Sequence, residues 1–143
     1  YAFPEDEPTH RGAIPLLEFR EIGIVPFSVL GARIVPIRLT HGPRFEVLGF
    51  RIGNVAYCTD TNGIPEASWP LLAGLDVLIL DALRPRPHVT HFSLEEAIEA
   101  AQRCGARQTY FTHISHELEH EAVNASLPAG MALAYDGLTI PLT

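Results

Sequence analysis

Leu75-Asp76-Val77-Leu78-Ile79-Leu80-Asp81-Ala82-Leu83-Arg84 is the stretch on which the fold turns. Leu75 to Leu80 is a nearly continuous apolar run, as expected of a strand covered on both faces. It ends on a carboxylate and a guanidinium, Asp81 and Arg84, so polar groups follow directly on a buried strand. Downstream, Ser93-Leu94-Glu95-Glu96 is a capping box, and Ala97, Ile98, Ala101 and Cys104 continue a helical face until Gly105 stops it. Arg107 to Phe111 reads as the next strand, His116 to Leu127 as a second helix ending before Pro128. Met131 to Leu142 reads as a strand, a turn at Asp136-Gly137 and a last strand.

Upstream the pattern differs. Ile14 to Ile22 alternates loosely, like an edge strand. Ala32 to Leu39 is a strand interrupted by Pro36, hence at an edge or bulged. Arg44 to Ile52 and Val55 to Thr59 are strands joined by Gly53-Asn54. Ile64 to Ala73 suits a short helix whose regularity Pro70 limits. A strand meander followed by β-α-β-α-β predicts an α/β layered domain over residues 1–143, with an irregular lead-in over 1–13.

The chain has 143 residues, one domain's worth, and its 47% hydrophobic and 19% charged fractions are those of a globular protein. Its net charge of −7 argues against nonspecific nucleic-acid binding and against anionic membranes. No run of about 18 apolar residues spans a membrane. The start, Tyr1-Ala2-Phe3-Pro4-Glu5, has neither a basic nor an apolar signal region and no initiator Met, so we expect the natural chain to begin further upstream. Cys58 and Cys104 have no metal-motif spacing and sit among apolar residues. Buried free thiols and a reducing cytoplasm are therefore expected.

Ligand-capable residues fall where four apolar strands end: His41 in Thr40-His41-Gly42, Asp60 in Cys58-Thr59-Asp60-Thr61, Asp81 and Arg84 after Leu80, and His113 in Phe111-Thr112-His113-Ile114-Ser115-His116. Sheets gather such ends on one edge, where sites are built, and imidazole with carboxylate suits Zn²⁺ or Mn²⁺.

These motifs resemble the third, fourth and fifth ligand motifs of metallo-β-lactamase-fold hydrolases. Ala56-Tyr57-Cys58-Thr59-Asp60, Leu75 to Arg84, Pro87-His88-Val89-Thr90-His91-Phe92-Ser93, Thr112 to His116 and Ala134-Tyr135-Asp136-Gly137 are similar, in order, to the phosphoribosyl cyclic phosphodiesterase subgroup. The resemblance implies part of an αββα sandwich and two divalent metal ions, with His41 on one, Asp60 bridging and His113 on the other. It implies His91 as the acid that protonates the departing alkoxide, and a small phosphate ester as substrate. The family's HxHxDH motif is absent. We expect it upstream of Tyr1, and expect this stretch alone to hold metal weakly and to be inactive.

Other residues stay open at this level. Arg84 suits a phosphate, gripping two oxygens at once, or an ion pair with Asp81. His88 suits a phosphate or an ordinary loop, and His116 could reach substrate or simply be exposed. Asp81 is the candidate to orient a ligand histidine. His120, among glutamates, is expected on a solvated helix face and His10 on an exposed lead-in, with Trp69 and Tyr57 in the core. Other substrates compatible with the fold are a nucleotide diester, a thioester or an RNA 3′ end. A non-catalytic module is the remaining alternative. A half-sandwich face left open would then favour a homo-oligomer or another partner.

Overall fold

The computed structural model describes residues 19–141. One seven-stranded sheet runs in chain order: β1 (Phe27–Val29), β2 (Ala32–His41), β3 (Phe45–Ile52), β4 (Val55–Cys58), β5 (Val77–Asp81), β6 (Gln108–Thr112) and β7 (Met131–Leu133). β1 to β4 form an antiparallel meander, and β4 to β7 are parallel. The parallel pairs are joined by a 3₁₀ segment (Glu66–Leu72), by α1 (Leu94–Cys104) and by α2 (His120–Ser126). No helix among the described residues is long and apolar enough to cross a membrane.

Two successive rows of side chains define the layers. Ile37 lies opposite Gly49, which packs on Cys58, and Cys58, Leu80, Phe111 and Leu133 continue across the sheet. This row is buried with Leu72 of the 3₁₀ segment and Ala97, Ala100 and Ala101 of α1. The next row, Pro36, Phe50, Tyr57, Ile79, Tyr110 and Ala132, points to the other face. Tyr57 there is 50% exposed, which corrects its expected place in the core. On that face of β5 Val77 and Asp81 are buried and Ile79 is half-buried, so the strand is largely covered on both faces, as its apolar run predicts. The result is the sheet-and-helix half of an αββα sandwich.

α1 forms as its sequence dictates. Ser93 Oγ accepts from the Glu96 amide, the Glu96 carboxylate accepts from the Ser93 amide, and Gly105 closes the helix in the left-handed region. Other elements differ from expectation. Pro70 cannot donate to an α-helical ladder, and Glu66–Leu72 winds as a 3₁₀ segment. α2 starts at His120 rather than His116, because the Glu119 carboxylate caps the amides of Glu121 and Ala122. After β7 the chain turns and forms no further strand within the described residues. Phe19 to Ile22 is not a strand, whereas the unforeseen β1 is, and the rest of the expected Ile14–Ile22 strand, the lead-in and His10 lie outside the described residues.

Pro36 sits where β1 has ended, since β1 pairs only with Ala32, Arg33 and Ile34. Further along that side of β2, the Arg38 carbonyl accepts from Ser68 Oγ at 2.8 Å, and Thr40 exchanges backbone bonds with Asn62 and Gly63.

Candidate metal centre

Strand direction decides where the chemistry gathers. β2 and β4 are both antiparallel to β3, so β2 points the same way as β4 and the parallel strands after it. The carboxyl ends of β2, β4, β5, β6 and β7 therefore share one edge, which carries His41, Asp60, Asp81 and His113. Backbone bonds draw the loop after β5 onto the same edge: Phe92 N–H donates to Thr61 O, Leu83 N–H to Phe92 O and Ser115 N–H to Leu83 O. That loop delivers His88 and His91.

Four imidazoles meet there. His91 is central, stacked on His113 with ring centroids 4.7 Å apart. It meets His41 edge-on at 4.9 Å and His88 at 5.2 Å. The donor atoms of Asp60, His91 and His113 all lie within 4.8 Å of one another, and His113 Nε2 is 3.8 Å from Asp60 Oδ1. Two ligands bound about 2.0–2.2 Å from one ion lie roughly 3–4 Å apart, so this spacing and donor chemistry fit Zn²⁺ or Mn²⁺. The expected set was His41, Asp60 and His113. In the structure His91 completes the close group, and His41 adjoins it through the His91 ring.

Asp60 and His113 share an uncommon backbone state, at φ 57° and 60°. Left-handed non-glycine residues cost on the order of 1–3 kcal/mol and persist where the surroundings hold them. Here each sits one or two residues beyond its strand, and the bend aims the side chain at its neighbour across the edge.

The histidines are held in defined tautomers. His41 Nδ1 lies 3.0 Å from Thr90 O, which can only accept, so Nδ1 carries the hydrogen and Nε2 is left with a lone pair. His91 Nδ1 lies 2.8 Å from Asp81 Oδ2. Asp81 is fully buried and also accepts from the Thr61 amide, at 3.0 Å. Burial pushes its carboxyl above the ordinary range, and the bonds from His91 and Thr61 pull the other way. His88 is lowered, by desolvation first and then by the Arg84 cation and His91. Its Nδ1 accepts from the Thr90 amide at 3.3 Å, as a neutral ring can.

Other expected residues stand further back. Arg84 does not pair with Asp81. Its guanidinium donates to the carbonyls of Arg86 and Pro87, folding the loop on itself. His116 is exposed in the turn before α2, outside the ring cluster. His120 is not on a solvated face: it is half-buried and bonded to Asn124 and the Ala134 carbonyl. Trp69 packs against the core, with the Arg103 guanidinium 4.0 Å above its ring. Both cysteines are free, and burial pushes the Cys58 thiol up to about 12.

The structure also shows residues that the motifs did not suggest. Asn62 Oδ1 accepts from the Gly42 amide and its Nδ2 donates to Val89 O, tying the loop after β2 to the histidine loop. A Cβ at Gly42 would stand 2.8 Å from Thr90 Cγ2, so only glycine lets these loops close. Asn62 is two residues beyond Asp60, but nothing in its spacing marks a partner 27 residues away.

The family model described as "Beta-lactamase superfamily domain" matches residues 5–114. The chain belongs to that superfamily. A crystal structure described as a new diphosphatase from the PhnP family is 44% identical, with a TM-score of 0.86 over 88% of this chain and 49% of that one. The metallo-β-lactamase-fold protein YhfI from Bacillus subtilis is 19% identical, with a TM-score of 0.68 over 91% of this chain and 57% of its own, a likeness of fold. An octanoyltransferase from Porphyromonas gingivalis is 32% identical over 127 residues, 87% of this chain and 26% of that protein. This superfamily chain thus spans about half the length of the solved structures and about a quarter of the octanoyltransferase. The metallo-β-lactamase fold accounts for why the ligand-capable side chains sit on one sheet edge.

Proposed function

We propose that this chain supplies one half of a dinuclear metal-dependent hydrolase of small phosphate esters, with a five-membered cyclic phosphate on ribose as substrate. The convergence of Asp60, His91 and His113 beside Asp81 carries this reading. The 44% identity to a protein described as a diphosphatase supports phosphoryl chemistry.

Asp60 and His113, with His41 beside them, would hold the metal ions. Bound divalent metals bring the pKa of a coordinated water toward neutrality and polarise a phosphoryl oxygen. The chain's own residues do the rest. Asp81 fixes the His91 ring through Nδ1 and leaves Nε2 to hold the proton that the departing alkoxide needs. His88, whose Nδ1 accepts from the Thr90 amide, would face the substrate from the same loop, and Arg84 would have to leave the Arg86 and Pro87 carbonyls to reach a phosphate. Asp60, His113 and His41 are fewer donors than two four-coordinate ions require. Further ligands would come from outside the described residues, and residues 1–143 alone would bind metal weakly and turn over nothing.

The test is the full gene product with Mn²⁺ or Zn²⁺, assayed on ribose cyclic phosphate and on a thioester. We expect diester turnover, and for His91→Gln a fall in kcat of about 10²–10⁴-fold with metal content unchanged. Loss of bound metal in that variant would make His91 a ligand instead. Turnover of the thioester alone would sink the phosphate reading. The row of exposed Tyr57 and half-buried Phe50, Ile79 and Tyr110 favours a second, compatible role in pairing with another sheet, and sedimentation of residues 1–143 as a clean monomer would count against self-association.

A further inference from the structure

Three loops meet over the carboxyl edge, and Asn62 touches all of them. It is half-buried in the loop after β4. Its backbone N–H donates to Thr40 O at 3.0 Å and its Oδ1 accepts from the Gly42 amide at 2.8 Å, so it grips the chain on both sides of His41. Its Nδ2 donates to Val89 O at 2.9 Å, in the loop that carries His88 and His91. The Gly42 amide can only donate and the Val89 carbonyl can only accept, which leaves the Asn62 amide one orientation.

The next carbonyl closes the path on itself. Thr90 O accepts from His41 Nδ1–H at 3.0 Å. His41, Gly42, Asn62, Val89 and Thr90 thus form a circuit in which hydrogen bonds alternate with stretches of main chain. Little else sets the loop in place. Arg86, Pro87 and Val89 are exposed, Val89 at 69%, and the first buried apolar side chain after them is Phe92. Arg84 ties the loop only to itself, and Arg86 meets Glu117 at the surface. Apart from the circuit, the hold on the sheet is the bond from His91 to Asp81. Backbone held by a few bonds near solvent opens more readily than the core beneath it.

The circuit also runs through a ligand-capable ring. A carbonyl on one imidazole N–H makes the other nitrogen a better metal donor. By linkage the influence is reciprocal, and His41 Nδ1–H binds Thr90 O more strongly when Nε2 holds a divalent ion. We propose that Asn62 is a positioning residue that docks the His88–His91 loop against His41, and that this circuit links occupation of His41 by a divalent ion to the placement of His91. The proposal rests on the metal-dependent reading of the site and supplies the means by which its acid is brought to the metal.

Amide exchange of the full gene product, without metal and with Zn²⁺, is the test. In the metal-free protein Asn62→Ala should quicken exchange across residues 88–91 about fivefold, the worth of the bond to Val89, with β5 unchanged. Unchanged exchange in the loop, or equal quickening in β5, would overturn the positioning role. Zn²⁺ should slow the same segment in wild type and also in His91→Gln, because the effect travels through His41 and Thr90. Slowing that disappears in His91→Gln, or is absent from the wild type, would overturn the linkage. Asn62→Asp keeps the bond from Gly42 and sets a carboxylate against Val89 O, and it repeats the metal-free comparison if Asn62→Ala does not fold. On the phosphate ester, Asn62→Ala should lower kcat about fivefold with metal content unchanged, whereas a loss carried by KM alone would sever Asn62 from the acid. Should the wild type hydrolyse no phosphate ester, that reading of the substrate fails while the exchange measurements still decide this proposal.

Discussion

At the carboxyl edge of the sheet, beside the left-handed glycines Gly42 and Gly137, two left-handed residues with side chains, Asp60 and His113, face each other at 3.8 Å. At the opposite edge, the left-handed positions that lead into β4, β5, β6 and β7 are Gly53, Gly74, Gly105 and Gly130, with Leu30 beside Gly31 the one non-glycine. The same backbone bend is thus made at low cost where it only turns the chain, and at a higher cost where a side chain must be presented. Burial divides the edges too. The site edge sinks Asp81 and Thr61 completely, while Asn54, Asp76 and Arg107 at the other edge pair in solvent. Strain and buried charge gather on the side that has a use for them.

That contrast can be broken most severely at Asp60. If Asp60 bridges two metal ions as proposed, Asp60→Gly in the full gene product should cut hydrolysis about 10³-fold or more. It should also raise stability by about 1 kcal/mol, because glycine occupies φ 57° without strain. Urea titration beside an activity assay checks both signs. An unchanged or lower stability would mean that the bend at Asp60 is not strained.

The mirror experiment lies at the far edge. Gly105→Ala forces a Cβ onto φ 68° and should cost about 1 kcal/mol while leaving turnover per folded molecule intact. A loss of activity beyond the loss of folded protein would show that the edges are coupled.

The smallest effect near neutral pH comes from Cys58, whose thiol is held up to about 12 against an ordinary 9.0. In the unfolded chain the thiol releases its proton near pH 9, whereas the folded protein retains it. Stability should therefore be unaffected below pH 9 and fall as pH rises from there toward 12. Cys58→Ala should flatten that alkaline slope, and a slope unchanged by the substitution would show that another group sets it.

How much of this was legible in the sequence follows from the range of the forces involved. The parallel strands, α1 and the edge carrying His41, Asp60 and His113 could be read, because apolar runs, a capping box and strand-terminal polar residues are local signals. β1 could not: Phe27–Val29 is too short to show a period and exists by pairing with β2. The start of α2 was misplaced because Glu119, not His116, satisfies the first amides. His91's place among the close donors depends on Asp81 and on Phe92 bonding to Thr61, contacts across 10 and 31 residues that no spacing encodes. Tyr57 misled for a simpler reason. An aromatic in a strand is read as core, and only the sheet's covered side tells which face it takes.

Pro36 has one more consequence. Along the free side of β2, Ile34 is paired with Phe27, Pro36 has no amide hydrogen, the Arg38 carbonyl is taken by Ser68, and Thr40 is taken by Asn62 and Gly63. An incoming strand from another molecule would find mismatched rungs where it needs a ladder. Fibril growth by strand recruitment is therefore closed off along this side of β2.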